Sequence, residues 1–255
     1  MSDVRVTTEG HVGIAEIRRP PNNYFDIPLI HEIADAFDRF DADPAVRCIL
    51  LCAEGKNFCA GANFAAPARQ TVGGNQQGGS LYQQAVRLFR AETPIVAAVQ
   101  GAAVGGGLGL SLVADFRVAS PESRFTANFN RLGFHPGFGL SVTLPRVVGQ
   151  QKAALLFYTG RRIGGQEAQD IGLVDVLVPQ DQLRSAAMAL AAEIAHSAPI
   201  AVASTRRTLR RGLADEVAAI TDHELAEQHK HFDTEDFKEG VKAMAERRLP
   251  VFAGR

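Results

Sequence analysis

The 255-residue chain has no excess of charge of either sign: 27 Lys and Arg stand against 28 Asp and Glu, leaving −1 at neutral pH. No global field draws such a chain to nucleic acid or to an anionic membrane, so an anionic ligand has to be held by local charges. Cysteine is scarce as well. Cys48, Cys52 and Cys59 form neither an even disulfide set nor a Cys-x-x-Cys pair and are read as the reduced thiols of a cytoplasmic protein. Long hydrophobic runs are also missing. The stretch Ile95–Val99 is bounded by Pro94 and Gly101, far short of the roughly 20 apolar residues that span a bilayer. The first ten residues carry Asp3 and Glu9 in place of the basic-then-apolar pattern of a secretion signal. No metal site is expected. With 46% apolar and 22% charged residues, the composition is that of a globular protein with a packed interior, and the length suits one main domain.

Apolar periodicity divides the chain. Val12, Ile14 and Ile17 read as a strand, stopped by the turn formers Arg18-Arg19-Pro20-Pro21-Asn22-Asn23. Asp26 is placed to cap a helix whose apolar positions Ile30, Ile33, Ala34 and Phe37 recur at helical spacing, with Pro28 in its first turn. Val46–Cys52 and Ile95–Val99 are short continuous apolar runs, the pattern of parallel strands buried on both faces. Between them Thr71–Ser80, rich in Gly and Gln, is expected to be a mobile loop, and Leu81, Ala85, Leu88 and Phe89 mark a helix. Phe116–Ala119 and Val174–Val178 read as further strands. Gly165 opens a short helix, and Asp181 is expected to cap an Ala-rich helix reaching about Ser197. Strands alternating with helices predict an α/β fold. A boundary near residue 197 separates a core, 1–197, from a helical C-terminal region, 198–255.

Two segments carry candidate chemistry. Gly101-Ala-Ala-Val-Gly-Gly-Gly-Leu-Gly109 follows a strand and opens a helix, where glycines let the backbone approach a ligand and free N–H groups favour a negative oxygen. It is no P-loop, because no Gly-Lys-Ser/Thr follows, and its spacing does not fit Gly-x-Gly-x-x-Gly. Tight helix packing would account for one glycine, less readily for three in a row. Gly55-Lys-Asn-Phe-Cys-Ala-Gly61-Ala62-Asn63 follows a buried strand and, taken alone, is a strand-to-loop turn.

Together with Pro94–Val99, Ala114-Asp115, Leu132-Gly133, Thr159–Ile163, Gly172–Val174 and the closing Glu239-Gly240 and Glu246-Arg247-Arg248, these segments resemble the crotonase family of enoyl-CoA hydratases and isomerases over nearly the whole chain. The resemblance implies a spiral of β-β-α units followed by C-terminal helices that build a homotrimer or hexamer. It implies an acyl-CoA substrate, with coenzyme A as part of that substrate and no separate cofactor. It places the oxyanion hole at the N–H groups of Ala62 and Gly106, and substrate contacts at Ala60, Gly61, Asn63, Gly105, Gly107, Gly109, Phe129 and Pro136. Two preorganised donors about 2.7–3.1 Å from a developing oxyanion are worth several kcal/mol to enolate formation.

The chain departs from the family where proton transfer is concerned. The two glutamates that hold water in the hydratases fall on Gly109 and Phe129, and the acid that some isomerases place after the proline falls on Gly137. From Gly55 through Ala91 there is no Asp or Glu, and between Gly101 and Val148 only Asp115 and Glu122 occur. Hydration by two carboxylates is therefore not expected. His135, in the turn that borders the acyl pocket in relatives, is the candidate acid/base, against a plain hydrogen-bonded turn histidine. Asn63, Asn128 and Asn130 can place water but cannot act as bases. Tyr82 is either a helix-surface residue or one that reaches the site. A Ser111–His135 hydrolase has the wrong spacing. Arg206, Arg207, Arg210, Arg211, Lys238, Lys242, Arg247 and Arg248, with Arg18 and Arg19, suit either the phosphates of coenzyme A or solvated helix faces.

Overall fold

Alternating strands and helices build a sheet that is mostly parallel. The structure, a computed structural model, describes residues 2–63 and 81–255, so the Thr71–Ser80 expectation lies outside the described residues. In chain order the elements are β1 (Val4–Glu9), β2 (Val12–Ile17), α1 (Ile27–Ala42), β3 (Cys48–Ala53), α2 (Leu81–Arg90), β4 (Ile95–Val99), β5 (Ala102–Val104), α3 (Gly106–Ser111), β6 (Phe116–Ala119) and β7 (Arg124–Thr126). There follow α4 (Leu140–Val148), α5 (Gln150–Thr159), β8 (Arg162–Gly164), α6 (Gly165–Asp170), β9 (Val176–Leu177), α7 (Leu183–His196), α8 (Pro199–Leu209), α9 (Leu213–Phe232) and α10 (Glu235–Ala245).

The main sheet has the order β1-β2-β3-β4-β6-β9; β1 and β2 form an antiparallel hairpin and the other pairs run parallel. Its central strands are buried on both faces, as their unbroken apolar runs require. Ile49, Leu51, Ile95 and Ala97 face the main core beside α1. Cys48, Leu50, Cys52, Val96 and Ala98 face α7, which meets them with Leu183, Ala187, Ala191 and Ala195, a stripe at every fourth residue. Alanine there brings helix and sheet close. Each fully buried Ile, Leu or Phe of these layers contributes roughly 1.5–3 kcal/mol. Burial pushes all three thiols up to about 12, so they pack as small apolar groups.

Asp26 caps α1 as its position predicts, accepting from Leu29 N–H at 3.0 Å. Two expectations need correction. Asp181 caps nothing: it sits in a 3-10 turn, and α7 begins at Leu183 without a side-chain cap. The strand expected over Val174–Val178 is only Val176–Leu177, because Leu173 and Val174 N–H turn back onto Ala168 O. A second sheet, β5-β7-β8, lies outside the expectations altogether; it ties the glycine-rich segment to β7 and β8.

The C-terminal helices are bound into the same body. Asp115 accepts from Ile95 N–H, Arg206 Nε and Arg210 Nη1, each at 2.8 Å. Burial alone would raise its pKa, but the two guanidinium groups hold it below the usual carboxylate range. Arg206 and Arg210 are thus tied to the sheet, Arg207 pairs with Glu92, and Arg248 pairs with Glu239 and Glu246. Arg19 is held by Asp3 and Asp26, and Arg18 by Glu54. Among the described residues no single helix is long and apolar enough to cross a membrane.

Candidate active site

Hydrogen-bond accounting along the two glycine-containing segments isolates a pair of amides. Cys59 N–H donates to Ala102 O, Ala60 N–H to Asn22 O and Val104 N–H to Cys59 O, at 2.9–3.0 Å. Phe25 N–H donates to Gly61 O at 3.1 Å, which makes a parallel bridge between Phe25 and Ala62. In such a bridge Ala62 turns its own N–H to the opposite side. Gly105 N–H is taken by Thr126 O at 2.8 Å, and Leu108 and Gly109 N–H both reach Gly105 O. Gly106, the first residue of α3, is left with an orphan donor, as any helix start is. Among the described residues neither Ala62 N–H nor Gly106 N–H has a partner.

Both residues line one cavity of about 300 Å³. Its walls are apolar, with Phe25, Phe129, Phe134 and Phe138 prominent. Ala60, Gly61, Asn63 and Gly105 line it as expected, but Gly107, Gly109, His135 and Pro136 do not. Gly107 instead packs its α-carbon onto the Cys59 carbonyl, where a Cβ would come within 2.1 Å of the oxygen. Among the described lining residues the polar side chains are Tyr24, Asn63, Tyr82, Asn128 and Gln228, with no Asp, Glu, His, Lys or Arg.

Gly109 is closely packed. A Cβ built there would lie 2.8, 2.9 and 3.0 Å from atoms of Phe138, a residue only 1% exposed whose ring also contacts Phe25 at 5.7 Å between centroids. Phe138 has φ +65°, between Gly137 and Gly139. A bulky side chain held in this left-handed region costs about 1–3 kcal/mol, and the surrounding packing has to sustain it. The Phe129 ring stacks edge-on against Phe134 at 5.3 Å, so aromatic rings fill the space beside Gly109 and around residue 129.

His135 faces away from the cavity. Its N–H donates to His231 Nδ1 at 3.2 Å, its Nδ1 lies 2.8 Å from Pro136 O, and its ring meets His223 edge-on. Phe138 lines the cavity, and His135 lies on the α9 side. Ser111 is the last residue of α3 and donates to Leu108 O. Tyr82, by contrast, is 6% exposed and lines the cavity, and Gln228 of α9, which nothing in the local sequence marks, lines it beside Tyr82.

One further carboxylate belongs to this region. Glu224 is fully buried; its Oε2 accepts from Gly139 N–H at 2.8 Å and its Oε1 from Ser141 N–H at 3.0 Å, capping α4 from across the fold. Burial pushes it up to about 7 from an ordinary 4.5, against the downward pull of those hydrogen bonds. The folded chain therefore keeps a proton that the unfolded chain releases. That contribution to stability is complete below pH 4.5 and disappears as pH rises through about 7. Urea unfolding should show the wild type losing on the order of 3 kcal/mol relative to Glu224→Gln between pH 4.5 and 7.5. Parallel pH profiles for the two proteins would refute this.

Residues 7–255 match the model of the family described as enoyl-CoA hydratase/isomerase. A probable enoyl-CoA hydratase of Bacillus subtilis (strain 168) is 32% identical, with 100% of both chains covered. A crotonyl-CoA hydratase of Syntrophomonas wolfei subsp. wolfei is 33% identical, covering 97% of this chain and 96% of its own. The crystal structure of an enoyl-CoA hydratase/isomerase from Pseudoalteromonas atlantica T6c superposes with a TM-score of 0.89 at 32% identity, over 98% of this chain and 100% of that one.

Proposed function

Since the chain belongs to the enoyl-CoA hydratase/isomerase family, we propose that it acts on an acyl-CoA through a thioester enolate whose oxygen is held by Ala62 and Gly106 N–H. The observation that carries this reading is the pair of amides without partners on one apolar cavity. Donors already fixed by the fold cost no reorganisation as charge develops, and apolar surroundings strengthen them. With no Asp, Glu, His, Lys or Arg in the described lining to take a proton from carbon, the electrons that reach the thioester oxygen are read as those of a substrate C–C bond. Loss of carbon dioxide from a malonyl-type thioester is the simplest case. Its C–C bond breaks, the electron pair forms the enolate, and the α-carbon then takes a proton from water. C–C cleavage and a double-bond shift are alternatives on the same hole, the shift requiring in addition a group that takes a proton from one carbon and returns it to another.

A true hydratase or isomerase served by His135 is disfavoured by that residue's orientation toward α9. A non-catalytic acyl-CoA binder would keep the pocket without turnover. The buried thiols suit a cytoplasmic enzyme. Exposed Ile200, Leu209 and Val251 in 198–255 support assembly into a trimer or hexamer, to be checked by light scattering. Three measurements test the whole: binding of butyryl-CoA, hydration of crotonyl-CoA, and carbon dioxide release from malonyl-CoA and its methyl homologue. Binding and release without hydration are expected. Rapid hydration would overturn the reading, and binding with no turnover of any thioester would favour the silent binder.

A further inference from the structure

Tyr82 and Gln228 are the polar pair buried deepest in the acyl cavity, 6% and 1% exposed. The Tyr82 hydroxyl donates to Gln228 Oε1 at 2.6 Å, and Gln228 Nε2 donates to His135 O at 2.9 Å. They occupy the space beside Gly137, where a Cβ would lie 2.2 Å from Tyr82 Oη and 2.5 Å from Gln228 Nε2. A tether between α2 and α9 uses one donor of each residue and no more. The lone pairs of Tyr82 Oη and the second Nε2 hydrogen of Gln228 have no partner among the described residues, in a wall otherwise made of Phe134, Phe138 and Leu81.

An acceptor and a donor side by side are the complement of a hydroxyl group, which both donates and accepts. Both side chains are neutral. Burial, with Glu224 nearby, keeps the proton on Tyr82, so the pair does not supply the charge that a carboxylate would need. Resting on the enolate reading, we infer that Tyr82 and Gln228 are specificity-determining residues that select acyl groups carrying a neutral oxygen, a hydroxyl before a ketone, over plain hydrocarbon chains. A site built to pair with a hydroxyl disfavours the analogue that lacks it, because the buried polar groups are then left unsatisfied.

The test is calorimetric titration of the wild type, Tyr82→Phe and Gln228→Leu with butyryl-CoA, 3-hydroxybutyryl-CoA and acetoacetyl-CoA, repeated with valeryl-CoA and 5-hydroxyvaleryl-CoA. In at least one series the wild type should bind the hydroxyl compound about tenfold or more tighter than its parent, as one net hydrogen bond provides. A ketone should fall between the two. In both variants the ratio of the two affinities should fall toward one, whereas loss of a merely structural tether would weaken parent and oxygenated compound alike and leave that ratio unchanged. Equal wild-type affinity for every parent and its oxygenated partner overturns the inference and leaves the enolate reading intact, as does a preference that survives in both variants. If no acyl-CoA binds at all, the enolate reading falls with it.

Discussion

Gly106→Ala is expected to lower turnover of the thioester substrate by about a hundredfold or more while the chain still folds. The added methyl would lie 2.3 and 2.5 Å from two ring atoms of Phe25, so either that ring or the first turn of α3 has to move. A displacement of the order of 1 Å at one donor is enough for such a loss, since the hydrogen bond to the oxyanion depends on both length and direction. Overpacking adds about 1–3 kcal/mol of instability. The double variant Gly106→Ala/Phe25→Ala separates the two effects: removing the ring relieves the crowding, and turnover should recover at least about tenfold over Gly106→Ala, although the cavity left by Phe25 costs about 3–5 kcal/mol. Steady-state rates and urea unfolding on the same samples decide it. A single Gly106→Ala variant that keeps turnover within about threefold of the wild type would remove Gly106 N–H from the mechanism.

Gly109→Glu is the second large effect. Restoring the first hydratase acid alone should destabilise the fold by more than about 4 kcal/mol, because it adds overpacking to a carboxylate buried without a partner. The collision is with Phe138, and that ring is locked between Phe25 and the α3 backbone. Opening the space first, as Gly109→Glu/Phe138→Ala, should recover much of the stability. Adding Phe129→Glu then supplies the second acid, and only this triple variant should hydrate crotonyl-CoA at a measurable rate. Urea midpoints and the decay of the enoyl thioester provide the readouts. A Gly109→Glu single variant as stable as the wild type, or as active in hydration as the triple, would show that Phe138 does not occupy the acid's place.

Much of the frame was legible because its signals are local. Val46–Cys52 and Ile95–Val99 are unbroken apolar runs because both faces of β3 and β4 are covered, and Asp26 marks the start of α1 through one short hydrogen bond. The candidate hole rests on less: a glycine run at a helix start points to a close backbone approach, the Gly-Ala segment taken alone is only a strand-to-loop turn, and the family pattern joins them. What stayed hidden depends on distance in sequence or on strand length. β5, β7 and β8 are three residues each, shorter than any apolar period can show. β1 buries only Val4, so a strand at the edge of the sheet reads as polar chain. Gln228 reaches the cavity, and Glu224 the start of α4, because α9 folds back over α2 and α4, which no neighbouring residue announces. His135 was misplaced because the glycines of its segment signal a turn without telling which of its side chains lines the cavity; Phe138 does and His135 does not.

The cavity has two builders. Its amides come from the β3–β4 half of the chain, whereas Gln228, Val241, Met244 and Ala245 of the closing helices form the opposite wall. On the proposed reading, activation of the thioester rests on the core alone, whereas the fit of the acyl group rests on Tyr82 and the closing helices together. Changes confined to the closing helices can refit the pocket without touching the two donors, but removal of those helices would also strip the buried Asp115 of Arg206 and Arg210.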